Sequence, residues 1–223
     1  MDEKLRPVFS LLDPWATRTV PPRQSAAGVV DVLVHLTEQY FSPTTAPVQD
    51  RIAEALMTIC LDRGPATVHH PDDLAARGDI MWASSLALCG LTGAGKVQDW
   101  ATHLIEHALS AHYDLTHGVG LAILHPAWME EVLDETSVHR FCRFGHALWG
   151  LPENGGMDVA REAIARLRFF FDALGLPSTL GEAGIGPELF DRMAHDAVAH
   201  FGELGGFRKL GRTQIRRILE RVR

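Results

Sequence analysis

Gln98-Asp99-Trp100-Ala101-Thr102-His103-Leu104-Ile105-Glu106-His107-Ala108-Leu109-Ser110-Ala111-His112 has helical periodicity, Tyr113-Asp114-Leu115-Thr116 is a short turn, and His117-Gly118-Val119-Gly120-Leu121-Ala122-Ile123-Leu124 opens another helix. His103 and His107 are four apart, so they share one helix face. His117 follows the turn, where the chain can fold back and bring its ring toward the same point. Upstream, a helix with Ser25 as its N-cap runs to Tyr40 and carries Asp31 and His35 at the same four-residue spacing. Aspartate and imidazole form a borderline-hard donor set suited to Fe(II), Zn(II) or Mn(II), and without cysteine it is not a structural zinc clip. Spacing leaves five candidates open, Asp31, His35, His103, His107 and His117. With 12 histidines in the chain, an i, i+4 pair arises by chance on the order of once per two sequences.

Outward from these segments the pattern stays helical. A helix capped by Asp50 carries Ile52, Ala55, Leu56, Ile59 and Cys60 and ends at Arg63-Gly64-Pro65. Others are expected over 71–77, 79–89, 137–149, 157–174, 186–200 and 212–223, separated by Gly/Pro breaks. Residues 1–24 differ, because Pro7–Leu12 reads as a strand while Asp13-Pro14 and Pro21-Pro22 belong to a loop. The expected organisation is a strand and loop over 1–24 and an all-α domain over 25–223. Gly90-Leu91-Thr92-Gly93-Ala94-Gly95-Lys96 matches a phosphate-binding loop until Val97 replaces the magnesium-binding Ser or Thr, and no strand precedes it. It reads as a helix–helix connection.

Composition removes several functions. The net charge of -7 disfavours nucleic acid, and no apolar run is long enough to span a bilayer. No secretory leader pattern opens the chain, so a cytoplasmic protein is expected. Cys60, Cys89 and Cys142 form no metal or disulfide pattern and read as reduced core thiols. Phe169-Phe170-Phe171 and Trp82 read as core, and the arginines between Arg208 and Arg223 as a solvated helix face.

The ordered segments Leu12-Asp13-Pro14, Thr19-Val20-Pro21-Pro22-Arg23-Gln24, Gly28-Val29-Val30-Asp31-Val32-Leu33-Val34-His35, Gly93 through His103, and Asp114 through Leu124 resemble the iron-containing (group III) alcohol dehydrogenases, in their butanol dehydrogenase and aldehyde reductase-like branch. The resemblance implies that Asp31, His35, His103 and His117 hold Fe(II) or Zn(II), and that His107 is a catalytic proton relay. It implies that Thr17, Thr19 and Val20 face NAD or NADP, with Val20 replacing the usual leucine. The implied activity is hydride transfer between that nucleotide and a small alcohol or aldehyde bound to the metal, in a homodimer. Members of the family begin with a dinucleotide-binding α/β domain, and residues 1–24 supply no βαβ unit. The chain is thus expected to be the helical metal-binding half, with Pro7–Leu12 the last strand of the other half's sheet. It should bind metal and turn over poorly unless a separate cofactor domain joins it in cis or in trans. The rival expectations are a free-standing or degenerate metal-binding module, a split-gene subunit, and a metal-dependent hydrolase.

Overall fold

Polar backbone in a chain without strand partners must be satisfied within helices, and the computed structural model, which describes residues 7–223, follows that rule. Nine α-helices are present among the described residues: α1 (Pro22–Tyr40), α2 (Pro47–His69), α3 (Leu74–Leu88), α4 (Ala101–Tyr113), α5 (His117–Val132), α6 (Val138–Trp149), α7 (Gly156–Ala173), α8 (Phe190–Ala199) and α9 (Arg212–Arg221). Short 3-10 turns occupy Pro14–Thr17 and Pro187–Leu189. None of the helices is long and apolar enough to cross a membrane.

The strand expected over Pro7–Leu12 does not form. Residues 7–13 are exposed and carry no regular structure, because no neighbouring strand offers the ladder of hydrogen bonds a strand requires. Residues 1–6 lie outside the described part. Among the described residues the single β-bridge is Leu204 with Leu210.

Several helix boundaries differ from the periodicity for local reasons. Proline takes the first position of α1 and of α2, where its missing N–H is harmless, so Ser25 and Asp50 lie inside helices instead of capping them. α2 continues through Gly64-Pro65, with Gly64 pressed against Val29 of α1. The segments 71–77 and 79–89 fuse into α3, capped by the Asp73 carboxylate accepting from the Ala76 N–H at 2.9 Å. α4 starts at Ala101 and not at Gln98, since Trp100 sits in the left-handed region at φ 64°. A bulky residue there costs about 1–3 kcal/mol and persists only when its surroundings over-determine it.

Two helices are central. α5 is buried almost all round and α1 along most of its length, and each packs against the other. Their approach is set by Gly118, where an added Cβ would stand 2.1 Å from the Ala27 carbonyl oxygen. The end of α1 is fixed by a buried ionic cluster. Arg140 donates to Asp50 at 2.7 and 2.8 Å and to the Tyr40 carbonyl, while its guanidinium lies 3.8 Å from the Tyr40 ring centre. Lys96 donates to Asp50 at 2.7 Å with its side chain fully buried, so the amine of the loop-like motif is consumed structurally and ties the loop before α4 to α2.

Some expected core residues lie outside. Trp82 and Phe169 are 57% and 73% exposed, being on the outer faces of α3 and α7, whereas Phe171 is core. Cys89 is exposed at the end of α3, and only Cys60 and Cys142 are buried thiols. The C-terminal arginines are ion-paired, Arg216 with Asp191 and Glu220, Arg217 with Glu131, and Arg221 with Glu130 and Glu131.

Replacing Gly118 by alanine forces α5 away from α1. Thermal unfolding should show a loss of about 1–3 kcal/mol, against a few tenths for a substitution on an exposed helix face.

Candidate metal centre

Three helices bring four donor atoms together. Asp31 and His35 come from one face of α1, His103 from the first turn of α4, and His117 from the first position of α5, just after Thr116. Asp31 Oδ1 lies 3.4 Å from His35 Nε2, 3.5 Å from His103 Nε2 and 3.6 Å from His117 Nε2. His35 Nε2 and His103 Nε2 are 3.3 Å apart. Asp31 Oδ1 is buried and accepts no hydrogen bond. Ligands about 2.1 Å from a tetrahedral ion stand about 3.4 Å from one another; the three separations from Asp31 Oδ1 and the one between His35 and His103 match that value, and Asp31, His35 and His103 each offer an atom within 4.8 Å of the others, so the donor set fits a divalent metal.

The second ring nitrogens explain why the rings point inward. His103 Nδ1 is hydrogen-bonded to Glu38 Oε2, and His117 Nδ1 to Glu106 Oε2. Both glutamate side chains have no exposed surface. Glu38 Oε1 also accepts the Thr102 N–H at 2.6 Å, and Glu106 Oε1 accepts the Ser110 hydroxyl. A carboxylate on Nδ1 fixes the tautomer with Nε2 free and raises its basicity, the usual outer support of a metal-bound imidazole. Gly120 makes the space for Glu106, since a Cβ there would lie 2.6 Å from Oε1. Behind them, the fully buried His125 spans Thr37 and Thr102 at 2.8 and 3.0 Å. Thr37 Oγ1 lies 3.0 Å from the Val34 carbonyl. Its hydroxyl therefore donates there and accepts His125 Nε2–H, which leaves Nδ1 to accept from Thr102.

The electrostatics follow the same arrangement. Burial opposes charge on Asp31, but the close approach of His103 and the positive fields of His35 and His117 outweigh it and hold the carboxyl below its ordinary range. Burial also opposes charge on His103, yet its contacts with Asp31 and Glu38 prevail and raise it to about 9. Burial and the neighbouring His103 push His35 down to about 4. His125, buried and near His103, is lowered to about 3 and is neutral.

His107 is exposed and stands beside this group, its ring centre 5.4 Å from that of His117. Desolvation, then the charge of His117, lowers its pKa. One atom each of Glu106, His107 and His117 also lies within 4.8 Å of the others, so spacing alone cannot separate His107 from the four convergent donors. Thr17 and Val20 line a cavity of about 230 Å³ with Ser25, Gly28, Val32 and Arg77. Thr19 is exposed and does not line it. Glu38, Glu106 and His125 are not among the candidates that motif and spacing give. The signal for the two glutamates is that each follows a candidate histidine by three, on the same helix face.

The family described as Fe-containing alcohol dehydrogenase family, C-terminal, matches residues 25–222. NADH-dependent butanol dehydrogenase A of Clostridium acetobutylicum is 45% identical over 222 residues, which are 98% of this chain and 57% of that protein. The NADPH-dependent aldehyde reductase YqhD of Escherichia coli is 39% identical over 204 residues, 89% of this chain and 52% of that protein. Its substrate- and cofactor-free structure superposes with a TM-score of 0.92, covering 98% of this chain and 58% of that one at 37% identity. An NADH-dependent butanol dehydrogenase A from Thermotoga maritima gives a TM-score of 0.94 at 31% identity, covering 99% of this chain and 57% of that one. The chain therefore spans a little over half the length of the relatives it matches.

Because the folded chain keeps His125 neutral well below the ordinary histidine pKa of 6.5, the unfolded chain binds the extra proton first as pH falls. Its contribution to stability is present above pH 6.5 and is lost toward pH 3, at up to about 1.4 kcal/mol per pH unit. In His125→Gln, unfolding measured between pH 6.5 and 4 should lose that one-proton slope relative to the parent.

Proposed function

Since the chain belongs to the iron-containing alcohol dehydrogenase family, we propose that it is the metal- and substrate-binding part of an NAD(P)-dependent alcohol dehydrogenase or aldehyde reductase. Asp31, His35, His103 and His117 would hold one Fe(II) or Zn(II). The observation that carries this reading is the set of separations from 3.3 to 3.6 Å among one carboxylate oxygen and three imidazole nitrogens. Such an ion supplies Lewis acidity, drawing charge from the substrate oxygen while hydride passes between the substrate carbon and the nicotinamide ring.

The residues do the rest. Glu38 and Glu106 hold His103 and His117 with Nε2 turned inward. His103 and His35 are 8% and 14% exposed in their side chains, whereas Asp31 and His117 are 35% and 36% exposed, so the group is closed on one side and open on the other. His107 lies on the open side next to His117 and would carry the alcohol proton between substrate and solvent. Thr17, Thr19 and Val20 would face the nucleotide. Gly28 on the wall of the cavity that Thr17 and Val20 share has no heavy atom within 4 Å of its would-be Cβ, which leaves room for a ligand there. The described residues contain no βαβ unit. Hydride transfer requires reacting carbons held at about 3–3.5 Å, so turnover would depend on a dinucleotide-binding unit joined in cis or in trans.

Elemental analysis and Zn2+ titration of the chain test the ligand set. One ion per chain is expected, with His103→Ala losing most of it and His107→Ala little; equal loss in both would refute the assignment. Uptake should tighten as pH rises toward about 9, by about tenfold per unit for each proton displaced. Butanal reduction with NADH or NADPH should be near background for the chain alone. Adding the N-terminal domain of a relative should raise it, and in that mixture His107→Ala should lower kcat with the metal still bound. Metal uptake with no activity under any complementation would support a metal-binding module instead.

A further inference from the structure

Of the three imidazoles around Asp31, two have a carboxylate on Nδ1 and the third does not. His35 Nδ1 is buried and has no hydrogen-bond partner. What does meet the His35 ring is Trp100, edge-on, with ring centres 5.4 Å apart and planes at 68°. The same indole stands edge-on to His103 at 5.3 Å and 73°. The His35 and His103 rings are 4.2 Å apart, so Trp100 borders both members of one pair.

Trp100 occupies a backbone conformation that its side chain disfavours. Its φ of 64° and ψ of 8° are left-handed, a region where glycine is free and a bulky residue is strained. The neighbours enforce it. The Asp99 N–H donates to the Glu38 carbonyl at 2.9 Å, and the Asp99 carboxylate accepts from Ala101, Gly206 and Phe207 at 3.0, 3.0 and 2.8 Å. On the other side the Thr102 N–H is bound by Glu38. Residue 100 is thus clamped between two points attached to α1, and its backbone must turn left-handed to join them. Asp114, the other left-handed non-glycine among the described residues, is of a type that tolerates the region and ends a helix there. Trp100 has no such excuse, so what keeps tryptophan there must be its ring. Backbone strain of this kind gathers at functional sites.

We propose that Trp100 is a positioning residue for the metal ligands: its indole, held in place by a strained backbone, keeps the His35 and His103 rings turned toward Asp31 by packing, and so orients His35, whose Nδ1 has no carboxylate of the kind that Glu38 and Glu106 give the other two histidines. The inference rests on the metal-ligand reading above. It assigns Trp100 no contact with substrate and no part in proton transfer.

The test uses the full chain, Co2+ as the probe, and Trp100→Gly, Trp100→Phe and the parent in parallel. Co2+ affinity, the visible spectrum of the bound ion and the melting temperature of the metal-free protein are read together. The parent should bind one Co2+ with the intense bands of tetrahedral coordination. Trp100→Gly relieves the backbone, so its metal-free melting temperature should match or exceed that of the parent while Co2+ affinity drops about 10- to 100-fold, the range for losing an outer support of a ligand. Its bands should weaken and broaden. Trp100→Phe keeps an aromatic edge and should recover most of the affinity and the spectrum. Parent-like Co2+ binding in Trp100→Gly would overturn the proposal. So would a fall in affinity that merely tracks a fall in melting temperature across both variants, because Trp100 would then be ordinary packing. A parent that takes up no Co2+ removes the ligand reading itself and the proposal with it, and that failure is visible in the control before any variant is compared.

Discussion

Glu38 and Glu106 are acids with no exposed surface, and among the described residues neither is paired with lysine or arginine; beside one neutral donor each, Thr102 N–H and the Ser110 hydroxyl, they face imidazoles. Removing an ionised carboxylate from water costs several kcal/mol unless positive charge stands nearby. Asp31 adds a third acid to the same volume. A fourth, Asp99, is raised to about 7 by burial and by the field of Glu38, despite three backbone N–H donors. Buried acids thus crowd the interior between α1, α4 and α5, and positive charge placed among them is stabilised. Protons on histidine provide some of it, which is why His103 is driven up to about 9. A divalent cation bound by neutral imidazoles would provide it more fully, without leaving adjacent rings competing for protons.

That demand also ties the site to the fold. Each support crosses from one helix to another: Glu38 of α1 holds His103 of α4, Glu106 of α4 holds His117 of α5, and Thr37 of α1 with Thr102 of α4 holds His125 of α5. The three helices can satisfy these bonds only at close range. Gly118 permits α5 to touch the α1 backbone, and Gly120 lets Glu106 lie against α5. The sequence Thr116-His117-Gly118-Val119-Gly120 thus combines a candidate ligand with the two small residues that let its helix approach α1 and α4.

Much of this arrangement is legible in the amino-acid sequence. Helical periodicity locates the helices, and the i, i+4 pairs Asp31/His35 and His103/His107 mark two of the faces that matter. Spacing cannot exclude His107, because His107 and His117 do lie close together; what separates it is that the short separations from Asp31 Oδ1 are to His35, His103 and His117. Local patterns fail where a long-range contact decides the outcome. Pro7–Leu12 has strand-like composition but no partner strand among the described residues. Trp100 interrupts a helical pattern because Asp99 and Thr102 are tied to α1, a constraint carried by hydrogen bonds spanning more than 60 positions in the case of Thr102 and Glu38 (64). Trp82 and Phe169 show the converse, since apolar character in sequence does not state which way a helix faces. Glu38 and Glu106 carry only the three-residue step from a candidate histidine as a signal, because the imidazoles they bind lie on other helices.

The uneven exposure of the four donors has a direction built into it. His103 and His35 are bordered by Trp100, Glu38 and one another, so that side is the more enclosed one. Asp31 and His117 face the opening, with His107 alongside. Gly28 and Val32 lie on the stripe of α1 next to Asp31, being three before and one after it, and both line the cavity shared with Thr17 and Val20. A nucleotide facing that loop and a substrate oxygen approaching Asp31 would thus meet along one edge of α1. Proton exchange with water through His107, in the role proposed for it, would run from α4, on the side of His117.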